Sequence, residues 1–156
     1  MIGIQGKITG NLVPHALSGH WHMILPSTDA VQARKAAMAN RRNTHTFHSA
    51  KCNRAVMVNT LLERDRAFML EADPDVILYE EAPFLLQCDV QNGTESIIPS
   101  FIVLRIGGRL VVEDVVTRAI AEHPRQSKRI VMEKMVLERY GYEFLLVTEV
   151  DISPRQ

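Results

Sequence analysis

From Ala55 onwards the apolar positions acquire a period. Val58, Leu61, Leu62, Phe68, Met69 and Ala72 recur at the three- and four-residue spacing that lines one face of a helix. This predicts a helix over about 55–72 that docks on a sheet, with Glu63 beside the apolar seam, looking over the sheet's rim. "DPD" ends it, because Pro74 disfavours helical geometry at Asp73 and cannot extend the hydrogen-bond ladder. Two short apolar stretches follow in "VILYEEAPFLLQCDV", interrupted by Glu80, Glu81 and Pro83, and the Asn-Gly of "QNGTES" is a hairpin signal. The next strand is "IIPSFIVLR". Gly107 and Gly108 then turn the chain into "RLVVEDVV", whose β-branched residues suit a central strand. From Ala119 to Tyr140, Ile130, Val131, Met135, Leu137 and Tyr140 stand among charges, a helical run that Gly141 ends as a left-handed cap. "YEFLLVTEV" is one more strand. The order helix, antiparallel strands, helix, strand predicts an α/β fold: a mixed β-sheet flanked by helices.

Residues 1–46 lack this organisation. Gly, Pro, His, Ser and small residues alternate there, and apart from a short helical stretch at "AVQARKAAMANRR" no period is sustained. An extended or partly ordered N-terminal arm is expected over 1–46, followed by a folded domain over 47–156. The 46% hydrophobic content of the 156 residues is enough for one core. No apolar run approaches the ~20 residues of a membrane span, and "MIGIQGKITGNLVPH" lacks the pattern of a secretory signal. No membrane association and a cytoplasmic location are therefore expected. Cys52 and Cys88 are too few and too scattered for a disulfide framework and are expected to be reduced.

Charge separates the same two regions. The net charge is zero, but residues 1–62 carry seven Lys/Arg against one acid, Asp29, and residues 63–156 carry eleven against seventeen. Arg34, Lys35, Arg41, Arg42, Lys51 and Arg54 lie in a stretch from Val31 to Leu62 without any acid. Such an arm either neutralises phosphates, each contact adding a salt-dependent increment of affinity, or pairs with the protein's own acidic surface.

Asp114 interrupts an apolar strand, where a charge is costly unless it is paired, protonated or bound to a metal. In a hairpin turning at 107 and 108, Ser100 lies within about one position of it across the ladder. With Glu63 arriving from the helix, these oxygens form either a cage for a hard cation such as Mg²⁺ or a solvated hairpin end. His45, His48 and Cys52 have a spacing that zinc can use, with His20 and His22 upstream, but no second Cys/His pair stands at a finger-like distance. Neither a phosphate-binding loop nor a Ser-His-Asp order is present. Trp21, in the arm, is expected to be a local packing anchor.

Taken in order, "FHSAKCNRAVMVNTLLERDRAFMLEADPDVILYEEAPF", "PSFIVLRIGGRLVVEDVV" and "ERYGYEFLLVTEVDI" resemble the N-terminal nuclease domain of the TnsA family. These are endonuclease subunits of heteromeric transposases with the PD-(D/E)XK restriction-endonuclease-like fold. The resemblance spans about residues 47–152 and rests on Ser49 and Lys51, "LERD", "DPDV", Glu81 before Pro83, and "GYEF" with "VTE". It implies a metal nuclease that cuts DNA beside a transposon end with a helix Glu, the Asp of "PDF", a second acid and a Lys two residues later. By position these are Glu63, Ser100, Asp114 and Val116, two retained and two replaced. A serine hydroxyl in place of the aspartate removes a full negative charge from a metal ligand, and valine can neither activate water nor stabilise charge on a phosphate. The resemblance therefore implies a pseudonuclease, a DNA- or partner-binding or regulatory module of a mobile element or phage with little or no hydrolysis. Its C-terminal partner-contacting domain is expected to be missing. Arg41, Arg42, Lys51 and Arg54 would contact double-stranded DNA, beside a transposition or phage protein partner, with a homodimer left open. The alternative is an active endonuclease with Mg²⁺ or Mn²⁺ on Glu63 and Asp114, completed by Glu113 or Glu81, with Arg118 as the nearest replacement cation.

Overall fold

A computed structural model describes residues 21–24, 44–90 and 93–152, with the backbone alone for 21–24, 88–90 and 93–95. The stretch at 30–42, including Arg41 and Arg42, lies outside them. No described helix is long and apolar enough to cross a membrane.

The first correction falls at residues 55–58. They form not the start of a helix but a strand, β3 (Arg54–Val58), paired antiparallel with β2 (His45–Ser49). The alternation in "RAVMV" buries Val56 and Val58 and exposes Ala55 and Met57, a period of two that also satisfied part of the helical template. Helix α1 (Leu61–Ala72) starts only after Thr60, whose hydroxyl accepts from the Glu63 amide at 3.0 Å. It ends where expected: Asp73 caps it and accepts the Asp75 amide at 2.9 Å across Pro74. The buried face is also not the expected one. Arg66, Ala67 and Leu70 point inward, while Leu61, Phe68 and Met69 are exposed, Phe68 standing edge-on to Phe47 at 5.1 Å.

The chain then builds a four-stranded mixed sheet from β4 (Val76–Glu81), β7 (Phe101–Arg105), β8 (Arg109–Val115) and β9 (Glu143–Val147), in that spatial order. β4, β7 and β8 are antiparallel, and β9 joins β8 in parallel. A parallel neighbour needs a long crossover, supplied by α2 (Arg118–Glu122) and α3 (Pro124–Arg139). The expected single helix over 119–140 is thus two, because Pro124, well suited to a first helical turn, forces His123 into extended backbone. Gly141, at φ +86°, ends α3 as expected. A short α4 (Glu149–Ile152) follows β9.

The expected strand "IIPSFIVLR" is likewise two. β5 (Leu85–Val90) and β6 (Gly93–Ile97) form a hairpin beside β1 (Trp21–Ile24) in a second sheet. The chain leaves the main sheet after Ala82, at φ +43°, and returns at Ser100, whose carbonyl accepts from the Ala82 amide at 3.0 Å. Pro99 withholds the amide that would continue a ladder.

Both faces of the main sheet are buried, as the apolar run in β7 requires. Phe101 and Val103 face α1 and the β2–β3 hairpin, packing with Val56, Ala67, Leu70 and Tyr79. Ile102 and Leu104 face α3 and the β5–β6 hairpin, packing with Phe84, Leu86, Val136 and Leu137. β8 obeys the same alternation, and its two consecutive acids are therefore divided between the faces.

Candidate functional site

At the carboxyl end of β8 the sheet opens into a cleft of about 390 Å³, with Glu63, Ser100, Asp114, Val116, Arg129 and Glu133 on its lining. Of the two arrangements the sequence left open, Glu63, Ser100 and Asp114 line one cleft rather than a solvated hairpin end, and α3 adds Gln126, Arg129, Ile130 and Glu133 to the lining.

Each side chain is held by a local cause. Glu63 belongs to the first turn of α1, and its Oε2 accepts from the Asn59 amide at 2.9 Å, the reciprocal half of a capping box with Thr60. Its free oxygen, Oε1, accepts from the Ser100 hydroxyl at 3.3 Å. Ser100 stands in the irregular link before β7. Its amide lies 3.0 Å from the Glu113 carbonyl and 3.2 Å from Asp114 Oδ1, and its Oγ accepts from the Val115 amide at 3.0 Å. Asp114 is buried beneath it and hydrogen-bonds to the carboxyl of Glu133. The result is a continuous chain of hydrogen bonds, Glu63 to Ser100 to Asp114 to Glu133, across the rim of the sheet.

Burial dominates the electrostatics of all three acids. It raises the Glu63 carboxyl above its ordinary value, against the opposing hydrogen bonds from Asn59, Ser100 and Thr60. It raises Asp114 as well, opposed by hydrogen bonds from Glu133 and the Ser100 amide and by the charge of Arg129. Glu133 is pushed up to about 11, first by burial and then by its hydrogen bond to Asp114 and that residue's charge. At neutral pH the pair therefore retains a proton between its two carboxyl groups. Glu133 Oε1 is buried and receives no hydrogen bond from a donor group among the described residues.

The remaining expected residues are placed elsewhere. Glu113 points to the opposite face, where both its oxygens meet Arg66, Nε at 2.8 Å and Nη2 at 2.6 Å, with the carboxylate wholly buried. Glu81 is held by two hydrogen bonds from Arg54 and by the Met57 amide at 2.7 Å. Neither acid lines the cleft. Arg118 is exposed and pairs with Glu122 at 2.7 Å. Val116 does line the cleft, half-buried, and brings no donor to it. Lys51 donates its ammonium to the carbonyls of Leu70, Asp73 and Val76, closing the end of α1. Arg54, though partly exposed, is tied to Glu81. His45 and His48 fall on a strand three residues apart, hence on opposite faces, and Cys52 is a free, buried thiol that donates to the Tyr79 carbonyl. Among the described residues no three His, Cys, Asp or Glu side chains converge as a metal cage, and the zinc set is not assembled.

Whether the cleft fits a divalent cation depends on which residues are asked to hold it. Ser100 fits poorly, since its Oγ already accepts one hydrogen bond and donates another. Asp114 and Glu133 fit better: they are adjacent carboxyl groups, and a neighbouring dication favours the ionised form of both. Mg²⁺ commonly takes one or two protein carboxylates and fills its octahedron with water and phosphate oxygens.

Glu133 and Arg129 escaped the sequence reading, although their signal was present. In "RIVMEKMVLE" the helical set Ile130, Glu133 and Leu137 places Glu133 on the buried side, and an acid there needs the same explanation as Asp114. No protein-family model matches the chain, and no curated protein matches it.

Proposed function

We propose that the chain is a TnsA-like pseudonuclease: a restriction-endonuclease-like scaffold that binds double-stranded DNA, or a protein partner on DNA, with little or no hydrolysis. Support for the scaffold comes from the order α1, β4, β7, β8, α3, β9, three antiparallel strands and a parallel fourth, with the β5–β6 hairpin between the first two. Glu63 and Asp114 meet at the rim where such a nuclease would cut, which supports the same reading.

The observation that carries the loss of activity is the state of Ser100. Its hydroxyl is spent within the fold, accepting from the Val115 amide and donating to Glu63, where hydrolysis would need a free carboxylate on the metal. Beside it, Val116 presents methyl groups to the space where a cation would meet the attacked phosphate. Arg129, the one cation on the described lining of the cleft, cannot act as a general base and donates to the Ser96 carbonyl. Its charge is suited to a phosphate.

Supercoiled DNA incubated with Mn²⁺ tests the reading. Wild type is expected to leave it intact at enzyme excess, and a Ser100→Asp/Val116→Lys variant to nick it. Nicking by wild type that disappears in Glu63→Ala would establish an active nuclease instead. Duplex binding, followed by fluorescence anisotropy in EDTA, is expected to weaken steeply with salt and on Arg41→Ala/Arg42→Ala. Absence of binding at low salt would leave only the protein-partner role.

A further inference from the structure

Helix α3 divides its large apolar residues between two sides. Val136 and Leu137 enter the core, with Glu133 beside them, whereas Val131, Met132 and Met135 are 55%, 41% and 48% exposed. At about 3.6 residues per turn, Val131 and Met135 fall diametrically opposite the buried side, where a helix packed on a sheet ordinarily presents charge. Single exposed apolar side chains are common. Three on adjacent turns of one outward face form a patch, and no described element covers it.

The flanks of the patch indicate what it fits. Lys128 and Glu138, both exposed, continue the line of Val131 and Met135, so that positions 128, 131, 135 and 138 follow the alternating three- and four-residue spacing of a helix-pairing seam. About position 133 the line is symmetric in apolar bulk and opposite in charge: Val131 and Met135 lie two residues to either side, Lys128 and Glu138 five. Laid antiparallel on its own copy across a twofold axis, with the helix axes about 8–10 Å apart, such a helix sets Val131 against Met135 of the second copy and Lys128 against its Glu138. Each contact then occurs twice. Within the chain Glu138 meets only the exposed Lys134, at 3.9 Å, a contact too loose to compete. A nucleic-acid backbone would meet an acid at one end of the line, and a lipid surface a charge at both. The complement is a like helix running the other way.

We propose that the outer face of α3 is a self-association surface, through which two copies of this chain pair antiparallel. Gln126, Ile130 and Glu133 line the cleft from the other side of the helix, so pairing leaves both clefts open. The proposal stands apart from the pseudonuclease reading, because neither DNA nor the cleft takes part. A 16-residue helix is about 24 Å long, and one helix pair covers less than the roughly 1,200 Å² of a standard interface. The dimer is therefore weak, with a dissociation constant in the micromolar range.

Sedimentation equilibrium of the full chain, without DNA and at low salt, from low micromolar to several hundred micromolar, tests this. Wild type is expected to pass from monomer to dimer across that range. Val131→Lys/Met135→Lys should stay monomeric throughout with an unchanged thermal melt. Lys128→Glu and Glu138→Lys should each weaken dimerisation about tenfold, since either sets like charges opposite one another at both ends of the seam. Lys128→Glu/Glu138→Lys, which keeps the net charge, should recover most of that loss. Wild type that is monomeric at every concentration overturns the proposal, as does a dimer indifferent to Val131→Lys/Met135→Lys. A double reversal weaker than either single variant overturns the antiparallel register. A monomeric wild type whose melting midpoint falls on Val131→Lys/Met135→Lys would mean that the chain's own residues outside the described ones cover the patch, which overturns self-association as well.

Discussion

Glu113→Gln offers the most direct reading of how the two acids of β8 are divided. The substitution keeps shape and volume but removes the charge from a carboxylate that is 0% exposed and receives two hydrogen bonds, at 2.8 and 2.6 Å, from a guanidinium only 9% exposed. Arg66 has no other hydrogen-bonding side-chain partner among the described contacts, and its guanidinium would be left facing an amide. Breaking a buried pair from one side costs about 3–5 kcal/mol, most of it the desolvation of the orphaned charge. For a chain whose total stability is of order 5–15 kcal/mol this is a large fraction. The midpoint of thermal unfolding should fall by roughly 10 °C. Urea denaturation of Arg66→Met, of Glu113→Leu and of Arg66→Met/Glu113→Leu completes the cycle. The double variant should recover most of the loss, since apolar groups of similar volume need no pairing. A Glu113→Gln loss below about 1 kcal/mol, or a double variant as unstable as the sum of the singles, would refute the reasoning.

Other expectations follow from the cleft, the helix end and the turn. Glu133 keeps its proton in the folded chain up to about pH 11, whereas in the unfolded chain it ionises near 4.5; above 4.5 the folded form binds more protons. Stability should therefore decline as pH rises from 5 to 8, by at most about 1.4 kcal/mol per pH unit from this group, and Glu133→Gln should flatten the slope seen by urea unfolding. Lys51→Met deprives the carbonyls of Leu70, Asp73 and Val76 of their shared donor and should cost about 2 kcal/mol by the same assay. Its duplex affinity should stay unchanged, and a loss would return Lys51 to the DNA-contacting set. Gly107→Ala meets no atom within 4 Å but is held at φ +86°, so a penalty of about 1 kcal/mol should come from backbone strain alone.

The sheet and the central place of β8 were legible because β-branched runs, Gly107–Gly108 and Gly141 carry their signals locally. The helix start was not, because "RAVMVNT" satisfies two periods at once, and only its pairing with β2 decides between them. The break at His123 was legible in Pro124 but submerged in the longer apolar pattern. The site divides in the same way. Glu63, Ser100 and Asp114 come together through hairpin register and a helix start, both readable from spacing. Glu133 reaches them through the crossover, whose rotation is set by packing around Val136 and Leu137 rather than by sequence distance. Lys51 and Glu113 were read by residue type and turned out to be used by tertiary partners that only three dimensions supply.

The hairpin of β5 and β6 leaves the main sheet after Ala82 and rejoins it at Ser100, where the Ala82 amide donates to the Ser100 carbonyl. It is no free ribbon: Leu86 and Ile97 anchor it in the core with Val136 and Leu137, Arg129 holds it at the Ser96 carbonyl, and it returns at the residue that links Glu63 to Asp114. Through Ile97 and Ile98 it also forms part of the cleft's wall, so the hairpin and the acids share one packed unit.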